Sequence, residues 1–142
     1  MTESTPPAPL TVAVINGLQD TIDMLRVVIE AAGFRVVDAQ ARDIREGRLD
    51  LATFVAEHAV RVVLFDIAIP YEENWRALQA CRADPRLAAT AFVVTTTNQR
   101  ALDNLVGPSG TVEIIGKPYD LRLVVDAVSR AAGQVRSAAA PR

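Results

Sequence analysis

Aromatic side chains are scarce in this sequence, where Trp, Tyr and Phe make up 5% of 142 residues while half of all residues are apolar. A core built from it must therefore consist mainly of Val, Leu, Ile and Ala. The length suits one domain with enough volume for such a core. The single cysteine, Cys81, excludes an internal disulfide and is compatible with a reducing compartment. We therefore expect a cytoplasmic protein.

An excess of one charge is also missing, because 15 basic and 17 acidic residues give a formal net charge of −2. The basic residues are scattered along the chain, so there is no electrostatic basis for nucleic-acid binding. No apolar run reaches membrane-spanning length, and residues 1–7 have neither the basic nor the apolar segment of a signal peptide. We expect no nucleic-acid partner and no membrane association.

Strand-forming runs recur along the chain, at residues 10–15, 34–37, 60–65, 91–95 and 112–115. Several of them are continuously apolar, which is typical of parallel strands that are covered on both faces. Helical patterns follow each run, so the predicted order is strand–helix, repeated five times. Short connections and right-handed crossovers then favour an α/β fold of the flavodoxin-like type, in which helices cover both faces of a doubly wound, five-stranded parallel sheet.

The two ends differ in composition from the rest of the chain. Residues 1–9 are rich in Pro, Ser and Thr, and residues 133–142 are Ala-rich and end in Pro-Arg. We predict a disordered tail over 1–9, one domain over 10–132 and a flexible tail over 133–142. Inside the domain, Asp20 is predicted to cap the first helix. The charged segment 41–48 is predicted to be a short insertion before the second helix.

Asp66 ends the apolar run of the third predicted strand and is followed by Pro70. A parallel sheet gathers the C-terminal ends of its strands at one edge, which is where open α/β proteins place their chemistry. The same reasoning brings four further residues to that edge, namely Asn16, Gly17, Thr96 and Lys117. This cluster is the candidate site.

These residues at these spacings resemble the receiver domain of two-component response regulators, over about residues 10–132. The resemblance implies that Asp66 accepts a phosphoryl group from a histidine kinase. It also implies that Thr96 hydrogen-bonds the phosphoryl oxygens and that Lys117, which precedes Pro118, pairs with their charge. Such a chain is not an enzyme in the usual sense. At most it promotes its own phosphorylation and then loses the group by slow self-dephosphorylation.

The resemblance also implies a magnesium site, and here the sequence departs from the family. In the family, two consecutive acidic residues follow the first strand, but Asn16 and Gly17 stand at those positions. The remaining ligands would be Asp66, the backbone carbonyl of Ala68 and, weakly, the Asn16 amide oxygen. Magnesium favours carboxylate oxygens, so the loss of two of them predicts an affinity lower by roughly two or more orders of magnitude. We expect no cofactor, with Mg²⁺ bound weakly at most.

Ile114 stands three residues before the lysine, where the family commonly has a switch Tyr or Phe. Family partners most often dock on the fourth helix, fifth strand and fifth helix, here about Gln99 to Ala132. No output domain follows residue 132 in this sequence. We therefore predict an atypical, stand-alone receiver that signals through contacts with a kinase, another signalling protein or a second copy of itself. The alternative is a receiver that still accepts a phosphoryl group on Asp66.

Simpler explanations stay open for several of these residues. Asp66 could be a relict carboxylate paired with Lys117, and we assign Thr95 to ordinary strand propensity. Gly17 could belong to a plain strand–helix turn, or it could open space for an anion near the first helix. His58, the only histidine, lacks the partners of a metal or phosphorelay site. A flavin or nucleotide site has no support, because no phosphate-binding loop follows the first strand.

Overall fold

The computed structural model describes residues 9–96, 100, 104, 113–116 and 120–139, apart from the side chains of residues 113–116 and 136–139. The strands are Thr11–Asn16 (β1), Arg35–Gln40 (β2), Val60–Ile67 (β3), Ala91–Thr96 (β4) and Glu113–Gly116 (β5). They form one parallel sheet in the order β2-β1-β3-β4-β5. The predicted doubly wound α/β fold is confirmed.

Helices cover both faces of this sheet. They are Gln19–Ala31 (α1), Ala41–Arg45 (α2), Leu51–His58 (α3), Tyr71–Arg82 (α4) and Leu121–Ala139 (α5), with a 3-10 turn at Pro85–Leu87. The apolar sides of α1 and α5 pack on one face of the sheet, and those of α3 and α4 pack on the other. Over the described residues, no helix is both long enough and apolar enough to cross a bilayer.

Side chains along the central strand alternate between the two cores. Val62 and Leu64 belong to the core shared with α1 and α5, whereas Val63 and Phe65 belong to the core shared with α3 and α4. Both cores exclude solvent, which explains why this strand is continuously apolar from Val62 to Phe65. The alternation also orients the candidate site, because Asp66 follows Leu64 on the α1/α5 face.

Some predicted boundaries need correction. The charged segment 41–48 lies between β2 and α3, where the short insertion was predicted, and its first five residues form the helix α2. Asp20 lies in the first turn of α1 and is not its cap, because the helix begins one residue earlier. The last helix continues to Ala139, past the predicted domain end at 132, because one glycine does not interrupt a run of good helix formers. The predicted fourth helix lies largely outside the described residues.

Asp50 caps the N-terminus of α3. Its carboxylate accepts hydrogen bonds from the backbone N–H of Thr53 at 3.2 Å and from the Thr53 hydroxyl at 2.6 Å. The hydrogen bond from the Thr53 hydroxyl holds the pKa of Asp50 below its usual value, and the neighbouring charge of Arg86 contributes less. Because the pKa is lower in the folded state, the ionised cap stabilises the fold above the ordinary carboxyl pKa. This contribution is lost as the pH falls through the folded value.

We therefore expect Asp50→Ala to lower the melting temperature by a few degrees at neutral pH, and by progressively less in acid. Thermal melts followed by circular dichroism across a pH series measure this difference. Glu57→Ala, at an exposed position in the same helix, is the matched control. Equal losses for the two variants at neutral pH would contradict the capping role.

Candidate functional site

Polar side chains meet where three neighbouring strands end. Asn16 is the last residue of β1, and Asp66 and Thr95 are the penultimate residues of β3 and β4. Their exposed fractions are 1%, 5% and 1%, so all three lie inside the protein. Each follows by two positions a strand residue of the α1/α5 core, so all three lie on the α1/α5 face. The strand topology has therefore built a buried polar cluster around one carboxylate.

The hydroxyl of Thr95 contacts Asp66. Its Oγ1 donates a hydrogen bond to Asp66 Oδ1 at 2.7 Å, and the two residues are directly paired in the β3–β4 register. Thr96 pairs with Ile67 and therefore lies on the opposite face of the sheet. The assignment of Thr95 to strand propensity alone missed this contact. The alternation of side chains along a strand could have predicted it. Thr95 lies two positions after Val93, and Asp66 lies two positions after Leu64, so both side chains point to the same face of the sheet.

Asn16 takes part in the turn that joins β1 to α1. Its Oδ1 accepts a hydrogen bond from the backbone N–H of Leu18 at 3.0 Å, which is an Asx turn. The turn lets the helix begin at Gln19. The amide oxygen that the sequence offered as a weak metal ligand therefore already has a backbone donor. Gly17 is exposed, and a Cβ built there would meet no described atom within 4 Å.

Asn74, in the first turn of α4, is a site residue that the sequence analysis did not identify. Its side chain is 6% exposed, and its Nδ2 donates a hydrogen bond to the backbone carbonyl of Ala68 at 2.8 Å. Its Oδ1 accepts a hydrogen bond from Arg45 Nη1 at 3.1 Å. A guanidinium, an amide and the Ala68 carbonyl thus form one chain of hydrogen bonds beside the carboxylate.

These groups surround a cavity of about 140 Å³. Its polar and charged lining includes Arg42, Arg45, Asp66 and Asn74, together with the backbone of Gly17 and Ala68. The two arginines come from α2, which the sequence analysis treated as an insertion of unknown role. Because α2 starts directly after the last residue of β2, the segment is held at the same edge of the sheet as Asp66.

The donor set around Asp66 fits a magnesium ion poorly. Within the described ranges, no three His, Cys, Asp or Glu side chains are grouped so that they could hold a metal. The Ala68 carbonyl and the Asn16 amide oxygen both accept hydrogen bonds within the protein. A hard divalent cation prefers several carboxylate oxygens and is repelled by a neighbouring guanidinium.

Other predicted site features fall partly or wholly outside the part of the chain that the structure describes. Lys117 is outside it, and so is the ion pair expected between Lys117 and Asp66. Ile114 lies in β5 and pairs with Val94, but its side chain is not described. Much of the face predicted between Gln99 and Ala132 is also outside. The roles given to these residues remain predictions.

Trp75, Cys81 and His58 are not arranged as a second site. Trp75 is 7% exposed and packs in the α3/α4 core. Burial raises the pKa of the Cys81 thiol, which disfavours the reactive thiolate. His58 is exposed at the end of α3 and its ring lies 4.6 Å from that of Phe54.

The strand order and the polar cluster at the ends of β1, β3 and β4 define a class of fold, that of signal receiver domains. The signal receiver domain of an HD domain-containing protein from Pseudomonas fluorescens Pf-5 superposes with a TM-score of 0.71 at 14% identity, covering 91% of this chain and 98% of that one. The chemotaxis response regulator CheY4 of Vibrio cholerae gives a TM-score of 0.67 at 17% identity, covering 87% and 98%. A sensor protein from Polaromonas sp. JS666 gives 0.71 at 22% identity, covering 91% and 99%.

Sequence comparison gives one similar curated protein, the transcriptional regulatory protein GltR of Pseudomonas aeruginosa. It is 22% identical over 113 residues, which are 79% of this chain and 44% of that protein. The chain therefore spans less than half the length of this relative. No family model matches the sequence. At these identities the comparisons show the receiver fold, and the activity has to be argued from the site.

Proposed function

We propose that the chain is an atypical receiver domain of two-component signalling, which relays signals through protein contacts while magnesium-dependent phosphorylation of Asp66 is impaired or absent. The receiver fold and the similarity to named regulators support the signalling role. The main observation that supports impaired phosphorylation is the chain of hydrogen bonds from Arg45 through Asn74 to the Ala68 carbonyl.

Phosphoryl transfer to a carboxylate needs the charge of the transferred group to be neutralised, usually by a bound divalent cation. Here a neutral amide and a glycine replace two carboxylates, and a cationic guanidinium is hydrogen-bonded to the Asn74 amide that contacts the carbonyl ligand. Each difference lowers the local negative charge that would hold Mg²⁺. Because they act at the same point, their effects on metal affinity have the same sign.

A contact partner then has to carry the signal. Candidate partners are a histidine kinase, another signalling protein and a second copy of the chain. The face between Gln99 and Ala132 is proposed for this contact from the family resemblance. Leu123 on α5 is 55% exposed, which supplies one apolar side chain to such a surface.

The hydrogen bond between Thr95 and Asp66 favours a second candidate function, a receiver that accepts a phosphoryl group. A buried carboxylate with an adjacent hydroxyl donor is a nucleophile with one of its stabilising groups in place. In this case a histidine kinase would phosphorylate Asp66 in spite of weak metal binding.

Metal dependence separates the two functions. We expect millimolar Mg²⁺ with beryllofluoride to leave the fluorescence of Trp75 nearly unchanged, because the ion finds too few anionic ligands. Trp75 is a suitable reporter since it follows Asn74 in the first turns of α4. The titration should be repeated with Asp66→Asn as the control.

A saturable change in fluorescence that disappears in Asp66→Asn would overturn the proposal that phosphorylation is impaired, and it would support the second function. Phosphorylation is checked independently by incubation with acetyl phosphate and Mg²⁺, followed by intact-mass measurement. A stoichiometric gain of one phosphoryl group on Asp66 would have the same consequence.

A further inference from the structure

The charges of α2 and the turn after it are divided unequally. Both acidic residues of this segment, Asp43 and Glu46, pair with Arg48, at 2.8 Å and 2.6 Å. Arg45 contacts only the neutral amide of Asn74, and Arg42 has no hydrogen-bond or ion-pair partner in the described part of the chain. Within the described residues, neither of these two guanidinium groups forms an ion pair with a carboxylate.

Both of these guanidinium groups line the cavity that contains Asp66. The charged side chains in its described lining are the two arginines and this one carboxylate, which sum to a net charge of +1. Asp66 also directs one oxygen to the Thr95 hydroxyl. Gly17 contributes no side chain to the cavity. The space is therefore small, and its described lining, which also includes the apolar side chains of Ala41 and Ile69, carries a net positive charge.

We propose that this cavity is a metal-independent binding site for a phosphate-class oxyanion, held by Arg42 and Arg45. A guanidinium presents paired N–H donors whose geometry matches phosphate oxygens, and two of them can share one tetrahedral anion. The volume of about 140 Å³ is large enough to hold a phosphate group.

A hydrogen bond made by the exposed Arg45 side chain strengthens this assignment. Its Nη1 is bound to the buried Asn74 side chain, which is in turn bound to the Ala68 carbonyl. One donor thus anchors the guanidinium while its other N–H groups remain to contact a ligand. An anchored donor loses less side-chain entropy on binding than a free one. Beyond the proposed function, such a site would let the domain respond to a reversibly bound anion without covalent phosphorylation.

The test uses the full chain, with inorganic phosphate as the probe and EDTA present throughout. We expect saturable binding by isothermal titration calorimetry that weakens as ionic strength rises. The double variant Arg42→Gln with Arg45→Gln should bind at least about tenfold more weakly, because two charge-assisted hydrogen-bonding groups are lost. Glutamine at position 45 keeps a donor for Asn74, so the surrounding hydrogen bonds are preserved.

Arg48→Gln is the matched control, since Arg48 lies next to α2 but already pairs with two carboxylates. It should bind phosphate like the unmodified chain, whereas a loss equal to that of the double variant would overturn the site. Unchanged binding in the double variant, or binding that requires Mg²⁺, would also overturn it. Mg²⁺ binding by itself bears on the proposed function and is measured separately.

The phosphate group could belong to a free metabolite or to a phosphorylated protein segment. Comparing phosphoserine with a phosphoserine peptide distinguishes these sources. Tighter binding of the peptide, lost in the double variant, assigns the site to a protein segment. Equal binding of the two, lost in the same variant, assigns it to a small phosphorylated molecule.

Discussion

A variant carrying Asn16→Asp, Gly17→Asp and Arg45→Gln is expected to bind Mg²⁺ at least about 100-fold more tightly than the unmodified chain. The first two changes restore carboxylates beside Asp66, and the third removes a cation from the same cavity. There is room for the new side chain at position 17, where a Cβ meets no described atom within 4 Å. Aspartate at position 16 retains an oxygen for the Leu18 N–H and adds a second, anionic one.

Calorimetric titration with MgCl₂ measures this gain, and thermal melts give an independent readout. A ligand at 100 times its dissociation constant raises the free energy of unfolding by about 2.7 kcal/mol. The double variant without the change at Arg45 should be intermediate, which isolates the contribution of the guanidinium. Adding Asp66→Asn should abolish the gain.

Failure of the triple variant to bind Mg²⁺ better than the unmodified chain would show that the missing acids are not what limits the site. The limiting feature would then be the Ala68 carbonyl, which accepts a hydrogen bond from Asn74. Replacing Asn74 by Ala in the triple variant tests that explanation directly, because it frees the carbonyl without adding charge.

The fold could be predicted because its signals are local and repeated. Continuous apolar runs such as 62–65 are typical of parallel strands, and stripes of apolar residues mark the helices between them. The predicted ends of helices were less accurate where a side chain outside the helix determines the residue at which it begins. The Asx turn of Asn16 moves the start of α1, and no periodicity in the sequence reports it.

The centre of the site could also be predicted, since strand ends of a parallel sheet must meet at one edge. The assignment of Thr95 to ordinary strand propensity was wrong, because it did not consider which face of the sheet each strand residue occupies. The hydrogen bonds of Arg45 and Asn74, and the place of Arg42 in the cavity lining, could not be predicted at all. They depend on how α2 and α4 approach the sheet, which is a property of packing over long sequence separations.

Thr95→Val is expected to lower the free energy of unfolding by about 2 kcal/mol. Valine conserves the shape and β-propensity of threonine, so the loss reports the hydroxyl rather than the packing. The hydroxyl donates to Asp66 Oδ1 at 2.7 Å, and both residues are almost fully buried. Because the pair is almost fully buried, water replaces the missing donor poorly, and a carboxyl oxygen is left with one hydrogen bond fewer.

Chemical denaturation measures this loss, and Thr95→Ser, which keeps the hydroxyl, should recover most of it. A double-mutant cycle with Asp66→Ala isolates the pair, because valine at 95 should be nearly neutral once the carboxylate is gone. The coupling between the two positions is expected to account for most of the effect.

If Thr95→Val destabilises the Asp66→Ala protein as much as the unmodified one, the loss of stability comes from packing. In that case Thr95 has no special relation to the carboxylate. A large coupling instead identifies Thr95 as the residue that orients Asp66, whichever of the two proposed functions the site performs.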